Sequence, residues 1–241
     1  MLEKTKGIVV KTTKFSETSL VVKVFTELFG MRTYMVRGVR KKKSRTPMNL
    51  FQPLSLLDMI VYEKAGRDIQ QVKEIKAAYI FTSIPYVMNK TAITTFLNEV
   101  IYKAIGEEEC NESMFQFILQ SLLYLDESEE AYQNFHLWFM MHFTRFLGFE
   151  ASDNYRAQQN IFDMQEGRYT SLKLPEIISI HPPLSHLFYQ FGMDRSFGES
   201  IKMDRKQRKE LLEKLHQYYQ YHLPNFRELK SLEVLTQVMS S

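Results

Sequence analysis

Nine consecutive residues, Arg37-Gly38-Val39-Arg40-Lys41-Lys42-Lys43-Ser44-Arg45, hold six cations and no acid. Charge of one sign at this density repels itself and does not pack, so the stretch predicts a solvated loop. Its field attracts polyanions, of which the nucleic-acid backbone is the commonest. A charged hairpin tip that keeps an edge strand soluble has the same composition, so the surroundings must separate the two readings.

More cations, interleaved with aromatic rings, lie in the segments flanking this loop: Lys11, Lys14, Phe15, Lys23, Phe25, Arg32 and Tyr34. Single-stranded nucleic acid calls for that mixture, with ammonium and guanidinium groups for phosphates and ring faces for bases. The opposing reading places Phe25 and Tyr34 in a barrel core. The candidate nucleic-acid contacts are therefore Lys11, Lys14, Lys23, Arg32, Tyr34, Arg37, Arg40, Lys41, Lys42, Lys43 and Arg45.

A second basic group, Lys202, Arg205, Lys206, Arg208 and Lys209, precedes and opens a predicted helix over 205–222. Cations at a helix start oppose its dipole. They mark either an anionic partner or a solvated face. With Arg227 and Lys230 they form a candidate site for an acidic peptide, whose carboxylates would also meet free N–H groups in the first helical turn.

Other chemistry is missing. The nine glycines form neither a dinucleotide fingerprint nor a P-loop, and the six histidines form no H-E-x-x-H. Cys110 is the one cysteine, which excludes an internal disulfide and fits a reducing compartment. An acidic triplet beside it, Glu107-Glu108-Glu109, disfavours a thiolate. His142, on an apolar helix face, reads as a core histidine. These features predict a protein that binds without catalysing, with no metal and no cofactor. The 44% apolar and 24% charged residues are those of a soluble globular protein. No apolar run is long enough to span a bilayer, and the chain starts without a signal region, so the expected location is cytosolic.

The elements that would position these groups change character near residue 78. Up to Ala77 the apolar period is two, and hairpin signals at Glu27–Gly30 and Lys64–Asp68 separate five short strands. That pattern predicts an α+β chain whose N-terminal part, 1–78, is a five-stranded OB-fold barrel, with an SH3-like barrel as the alternative. In an OB-fold the binding face is strands two and three with their loops. Residues 1–77 carry 16 Lys+Arg against 7 Asp+Glu, whereas the remaining residues carry 15 against 21.

Residues 79–241 read as an all-helical domain with a small hairpin insertion. The expected helices end near Gly106, open at a Ser113-x-x-Gln116 capping box, and run from about Glu129 to Leu147 with Gly148 as terminator. A hairpin at 162–169 follows. Pro182-Pro183 opens a short helix, Asp204 caps the helix 205–222, and a last helix covers 231–239.

Lys6-Gly7-Ile8-Val9-Val10-Lys11-Thr12, Ser16-Glu17-Thr18, Val24-Phe25-Thr26-Glu27, Arg37-Gly38-Val39-Arg40 and Leu50-Phe51-Gln52-Pro53-Leu54 resemble, in order and spacing, the start of the RecO family of bacterial recombination mediators. Tyr218 to Leu232, with Leu229-Lys230-Ser231, resembles that family's C-terminal helix and turn. The resemblance implies an OB-fold followed by helices, and binding of single- and double-stranded DNA. It also implies annealing of complementary strands and help in loading RecA onto strands coated by single-strand-binding protein (SSB). RecR and the acidic SSB tail are the implied partners. Many members carry a four-cysteine zinc module after the third helix. Residues 149–175 contain no cysteine, so zinc is not carried over and the hairpin reads as that module's metal-free remnant. Two other readings are a protein-interaction scaffold and an RNA-binding OB-fold protein.

Overall fold

The computed structural model describes residues 2–39, 46–106, 110–130 and 132–239. Five strands, β1 (Leu2–Lys14), β2 (Leu20–Thr26), β3 (Gly30–Val36), β4 (Leu56–Tyr62) and β5 (Ile69–Ala77), close into a barrel in the order β1-β2-β3-β5-β4. All pairs are antiparallel except β3 with β5. Period-two alternation turns Val9, Val22, Val24, Tyr34, Val36, Met59 and Val61 into one interior cluster. Gly7 lies where strands approach most closely, and a Cβ there would stand 2.5 Å from Val24 Cγ1. Gly30 supplies the left-handed turn of the β2–β3 hairpin, with φ +65°, and its carbonyl accepts from Thr26 Oγ1 at 2.8 Å. The SH3-like alternative is thereby set aside, and the α+β OB-type architecture holds.

Ile8, Val9 and Val10 are all buried, a continuous run rather than an alternation. Strands covered on both faces read this way. Helix α1 (Met88–Ala104) packs on β1, and α2 (Glu112–Glu127) brings Phe115 to 6.0 Å from the Phe25 ring. Gln116 Nε2 donates to Glu27 Oε1 at 2.8 Å and so ties α2 to the β2–β3 turn. Asn111, rather than Ser113, caps α2: its Oδ1 accepts from Met114 N at 2.9 Å, which leaves the expected capping box unformed.

Asp126, 2% exposed, fastens the β5–α1 connection to the last turn of α2. Its carboxylate accepts from the backbone N–H groups of Thr82 (2.8 Å), Ser83 (2.9 Å) and Ile84 (2.9 Å), and from Thr82 Oγ1 (3.0 Å). Buried Lys90 reaches Ser83 Oγ at 2.6 Å and the Asp126 carbonyl at 3.1 Å. Residues up to Glu127 form one compact unit and residues from Ser128 a second. The strand-to-helix change thus falls near residue 78, while α1 and α2 share the barrel's unit.

The second unit is built on α3 (Phe135–Leu147), with nine buried residues in its 13. It starts after a short turn at Tyr132–Asn134, six residues later than periodicity predicts, and ends at Gly148 in the left-handed region (φ +84°). Strands β6 (Ile161–Asp163), β7 (Arg168–Thr170) and β8 (Ser179–Ile180) extend the expected hairpin to three strands. Helices α4 (Leu184–Met193), α5 (Arg205–His222) and α6 (Lys230–Val238) complete the unit. Tyr218 and Tyr219, buried on α5, donate to the carbonyls of Phe149 (2.6 Å) and Met140 (2.7 Å). Among the described residues no helix is long and apolar enough to cross a membrane.

Burial pushes the Asp126 carboxyl pKa up, but its hydrogen bonds from Ile84, Thr82 and Ser83 outweigh that and hold it below the ordinary value. The depressed value means that the carboxylate's stabilisation is present above the unfolded pKa of about 3.9 and lost as pH falls through the folded one. Asp126→Ala leaves three N–H donors without their acceptor, and that of Ile84 is buried and costs about 1–3 kcal/mol, so urea unfolding at pH 7 should show a loss of about that size. The difference from wild type should shrink below pH 4.

Candidate nucleic-acid interface

The register of the barrel gathers one set of candidate residues at one end. Lys14 pairs with Leu20, and Leu20 with Val36, so the β1–β2 turn and the exit of β3 lie side by side. Lys14, Phe15 and Arg37 are exposed there, and the Phe15 ring is 64% accessible. Ser16 and Ser19 brace the turn: Ser19 N donates to Ser16 Oγ at 3.2 Å, and Phe15 N to the Ser19 carbonyl at 3.1 Å. Gly38, at φ +74°, turns the chain out of β3. Arg40, Lys41, Lys42, Lys43 and Arg45 lie outside the described residues. Their stems, Arg37 and Thr46, border a groove of about 930 Å³ that also exposes Lys4, Lys6, Lys73 and Lys76.

Lys23 and Arg32 sit away from that end. They border a second groove, about 650 Å³, together with Lys64 and Arg67 of the β4–β5 turn. Buried Gln70 fixes this turn: Oε1 accepts from Lys64 N at 3.0 Å, and Nε2 donates to the carbonyls of Lys64 (2.8 Å) and Arg67 (3.1 Å). In the sequence Lys64-Ala65-Gly66-Arg67-Asp68 reads as a turn alone. The signal it held was two cations flanking a glycine. Glu3, Glu63 and Asp68 share the same groove, and Glu63 lies 3.8 Å from Arg32 Nε. Arg32 is therefore partly neutralised, as is Lys76 by Asp58 at 3.6 Å. Lys11 turns toward α1, where its ammonium donates to Tyr102 OH at 3.1 Å and lies 4.9 Å from the ring centre. Lys23 stands 5.5 Å from the same ring.

Tyr34 requires a correction. Its ring is 0% exposed inside the barrel, and its hydroxyl donates to Glu63 Oε1 at 2.6 Å. Burial, then the bond to Glu63, raises its pKa. A ring enclosed in this way offers no face to a base. Phe25 is likewise core. Of the rings in the barrel segments proposed for stacking, Phe15 is the accessible one.

The second basic group divides as well. Arg205, Arg208 and Lys209 rim a notch of about 30 Å³ with Leu212, Leu235 and Met239 inside it. Lys202, Lys206, Arg227 and Lys230 are exposed but do not line it. Lys206 and Lys209 pair with Glu210 (3.8 Å) and Glu213 (3.9 Å) one turn on. Arg208 Nε donates to Asn134 Oδ1 at 2.9 Å, while Asn134 Nδ2 holds the carbonyls of Gly198 (3.3 Å) and Ile201 (2.7 Å). Arg208 is thus part of the scaffold. His136, buried beneath, is pushed down to about 3 by burial and then by Arg208. The first turn of α5 is less open to an anion than expected, because Asp204 caps Gln207 N at 2.8 Å in a complete capping box.

No three His, Cys, Asp or Glu side chains converge as metal ligands among the described residues. The segment after α3 is held by other means. Asn154 exchanges two bonds with the Tyr169 backbone (2.9 and 3.0 Å), and Tyr155 stacks on Tyr189 at 4.8 Å.

A closed barrel in this strand order, followed by helices, defines the class: an α+β protein with an OB-type barrel and a helical part. Residues 1–81 match the family model described as Recombination protein O N terminal, and residues 86–233 match Recombination protein O C terminal. The chain is 38% identical over 242 residues to the DNA repair protein RecO of Bacteroides fragilis, covering 99% of each chain. It is 34% identical over 242 residues to that of Phocaeicola vulgatus, covering 100% of each. For that of Flavobacterium psychrophilum the figures are 36% over 240 residues, with 98% of this chain and 99% of the relative covered. The chain belongs to the RecO family of DNA repair proteins.

Tyr34→Phe keeps the ring and removes one buried hydrogen bond. It should leave the affinity for single-stranded DNA within twofold in fluorescence anisotropy, and cost about 1–2 kcal/mol in urea unfolding.

Proposed function

We propose that this chain is a non-enzymatic mediator of recombinational DNA repair acting in the bacterial cytosol. In this reading it binds single- and double-stranded DNA, anneals complementary strands, and helps RecA load onto SSB-coated single strands in company with RecR. The observation that carries the reading is the register that brings Lys14, Phe15 and Arg37 to one barrel end, where the basic loop leaves and returns. Cations there would take phosphates while the Phe15 face takes a base. Association led by phosphate contacts is sequence-tolerant and salt-sensitive, which suits a protein that must act on any strand.

The notch on α5 supports a second contact, with the acidic tail of SSB. Arg205 and Lys209 would meet carboxylates, and a terminal apolar side chain would rest on half-buried Met239 at the mouth of the notch, which is itself too small to hold one. The intrahelical ion pairs of Lys206 and Lys209 are exposed, and such pairs are worth about 0.3–0.5 kcal/mol, so a peptide carboxylate displaces them at small cost.

Replacing Arg40, Lys41, Lys42 and Lys43 together with Ala should flatten the slope of log affinity against log salt by up to about 3 units on single strands, at roughly 0.7 per phosphate contact. Circular dichroism should show the fold retained. An unchanged slope with the fold intact would rule the loop out as a DNA contact.

Arg205→Glu combined with Lys209→Glu should weaken an SSB-tail peptide about tenfold or more and single-stranded DNA much less. Arg208 is left in place because it holds Asn134. Equal loss of both activities would mean that α5 belongs to one continuous DNA path.

A further inference from the structure

Strand β5 is fully paired along one edge only. Toward β4 it is paired from Gln71 to Ala77. Toward β3 it is paired for three residues, Ile69 to Gln71 against Thr33 to Met35. From Val72 to Lys76 that second edge has no strand partner among the described residues. β3 ends at Val36 and the chain turns at Gly38, so β5 runs on past the end of the strand it pairs with on that side. An open edge presents a row of unmade backbone hydrogen bonds, a template for another strand.

The 930 Å³ groove runs along this edge. Its apolar lining is Met35, Val36, Met59, Ile60, Val72 and Ile75, of which Val36 and Met59 belong to the barrel interior and form its floor. On the rim, Lys4, Lys6, Arg37, Lys73 and Lys76 outnumber Glu27, Asp58 and Glu74.

We propose that the Val72–Lys76 edge receives an extended segment of a partner protein as an added β-strand, one that alternates apolar and acidic side chains. Each part of the groove selects one property of that segment. Unpaired backbone donors and acceptors along about 17 Å of strand call for another peptide backbone, at about 3.3 Å per residue. Alternate side chains of such a strand point to opposite faces, so one set lies in the groove against Met35, Val72 and Ile75 while the other meets the rim. The excess of cations on that rim favours Asp and Glu in the second set. A nucleic-acid strand would answer the rim charges but could not pair with the strand edge. The site is separate from the α5 notch and shares Arg37 with the proposed DNA contacts, while its strand edge is not used by them.

The test pans a random decapeptide display library on the full-length protein, and synthesises the enriched sequence with and without N-methyl groups at alternate residues. Enriched peptides should alternate apolar residues with Asp or Glu. On binding, amide exchange within Val72–Lys76 should slow at least tenfold. N-methylation should weaken binding at least tenfold, as should Ile75→Asp. Lys73→Glu, on an exposed side chain that leaves the fold alone, should weaken it severalfold. The proposal is overturned if no sequence is enriched, or if the N-methylated peptide binds equally well. It is also overturned if neither variant changes binding, or if a 15-residue oligothymidylate, and not peptide, protects the edge.

Discussion

The first unit depends on the carboxylate of Asp126. Three consecutive backbone N–H groups, at Thr82, Ser83 and Ile84, have no strand or helix to join, and the carboxylate satisfies all three from the end of α2. A buried charge of this kind is tolerated only when hydrogen bonds replace the water it loses. By fixing the chain between β5 and α1, it sets where both helices start and finish against the barrel. α1 can then cover the outer face of β1, and α2 can seat Phe115 on Phe25. The unbroken apolar run Ile8-Val9-Val10 is thereby buried on both sides. Without that cover, two of its three side chains would face water, at about 1.5–3 kcal/mol each.

The helical cover engages some of the barrel's cations, and neighbouring strands engage others. Lys11 and Lys23 face Tyr102, Arg32 faces Glu63, and Lys76 faces Asp58. What is left at the end of the barrel is Lys14 and Arg37, beside Phe15 and the stems of the basic loop. Cation number alone therefore overstates the candidate interface, and position in the register sorts it. On α5 the same sorting separates Arg208, which braces Asn134, from Arg205 and Lys209 at the notch.

Much of this was legible in the sequence. The period-two segments give the five strands, Gly148 and Asp204 stop and start their helices, and the change of period marks where helices begin. Tyr34 was misplaced although parity held the signal: it lies two residues from Val36, on the same face of the strand. Arg32 shares that parity and escapes burial only because the strand end lets it reach Glu63. The capping of α2 by Asn111 and the late start of α3 turn on single hydrogen bonds and one short turn, below the resolution of periodicity. Lys64 and Arg67, and the open edge of β5, depend on which strands become neighbours. Composition and spacing carry no information about that.

In the proposed function DNA meets the barrel end and its basic loop rather than α5. Lysine acetylation footprinting by mass spectrometry, with and without a 15-residue oligothymidylate, measures this residue by residue. Lys14, Lys41, Lys42 and Lys43 should be protected, with Lys202, Lys206 and Lys209 reacting as fast as in the free protein. Protection centred on Lys202, Lys206 and Lys209, with Lys14 and the loop lysines unchanged, would contradict this placement.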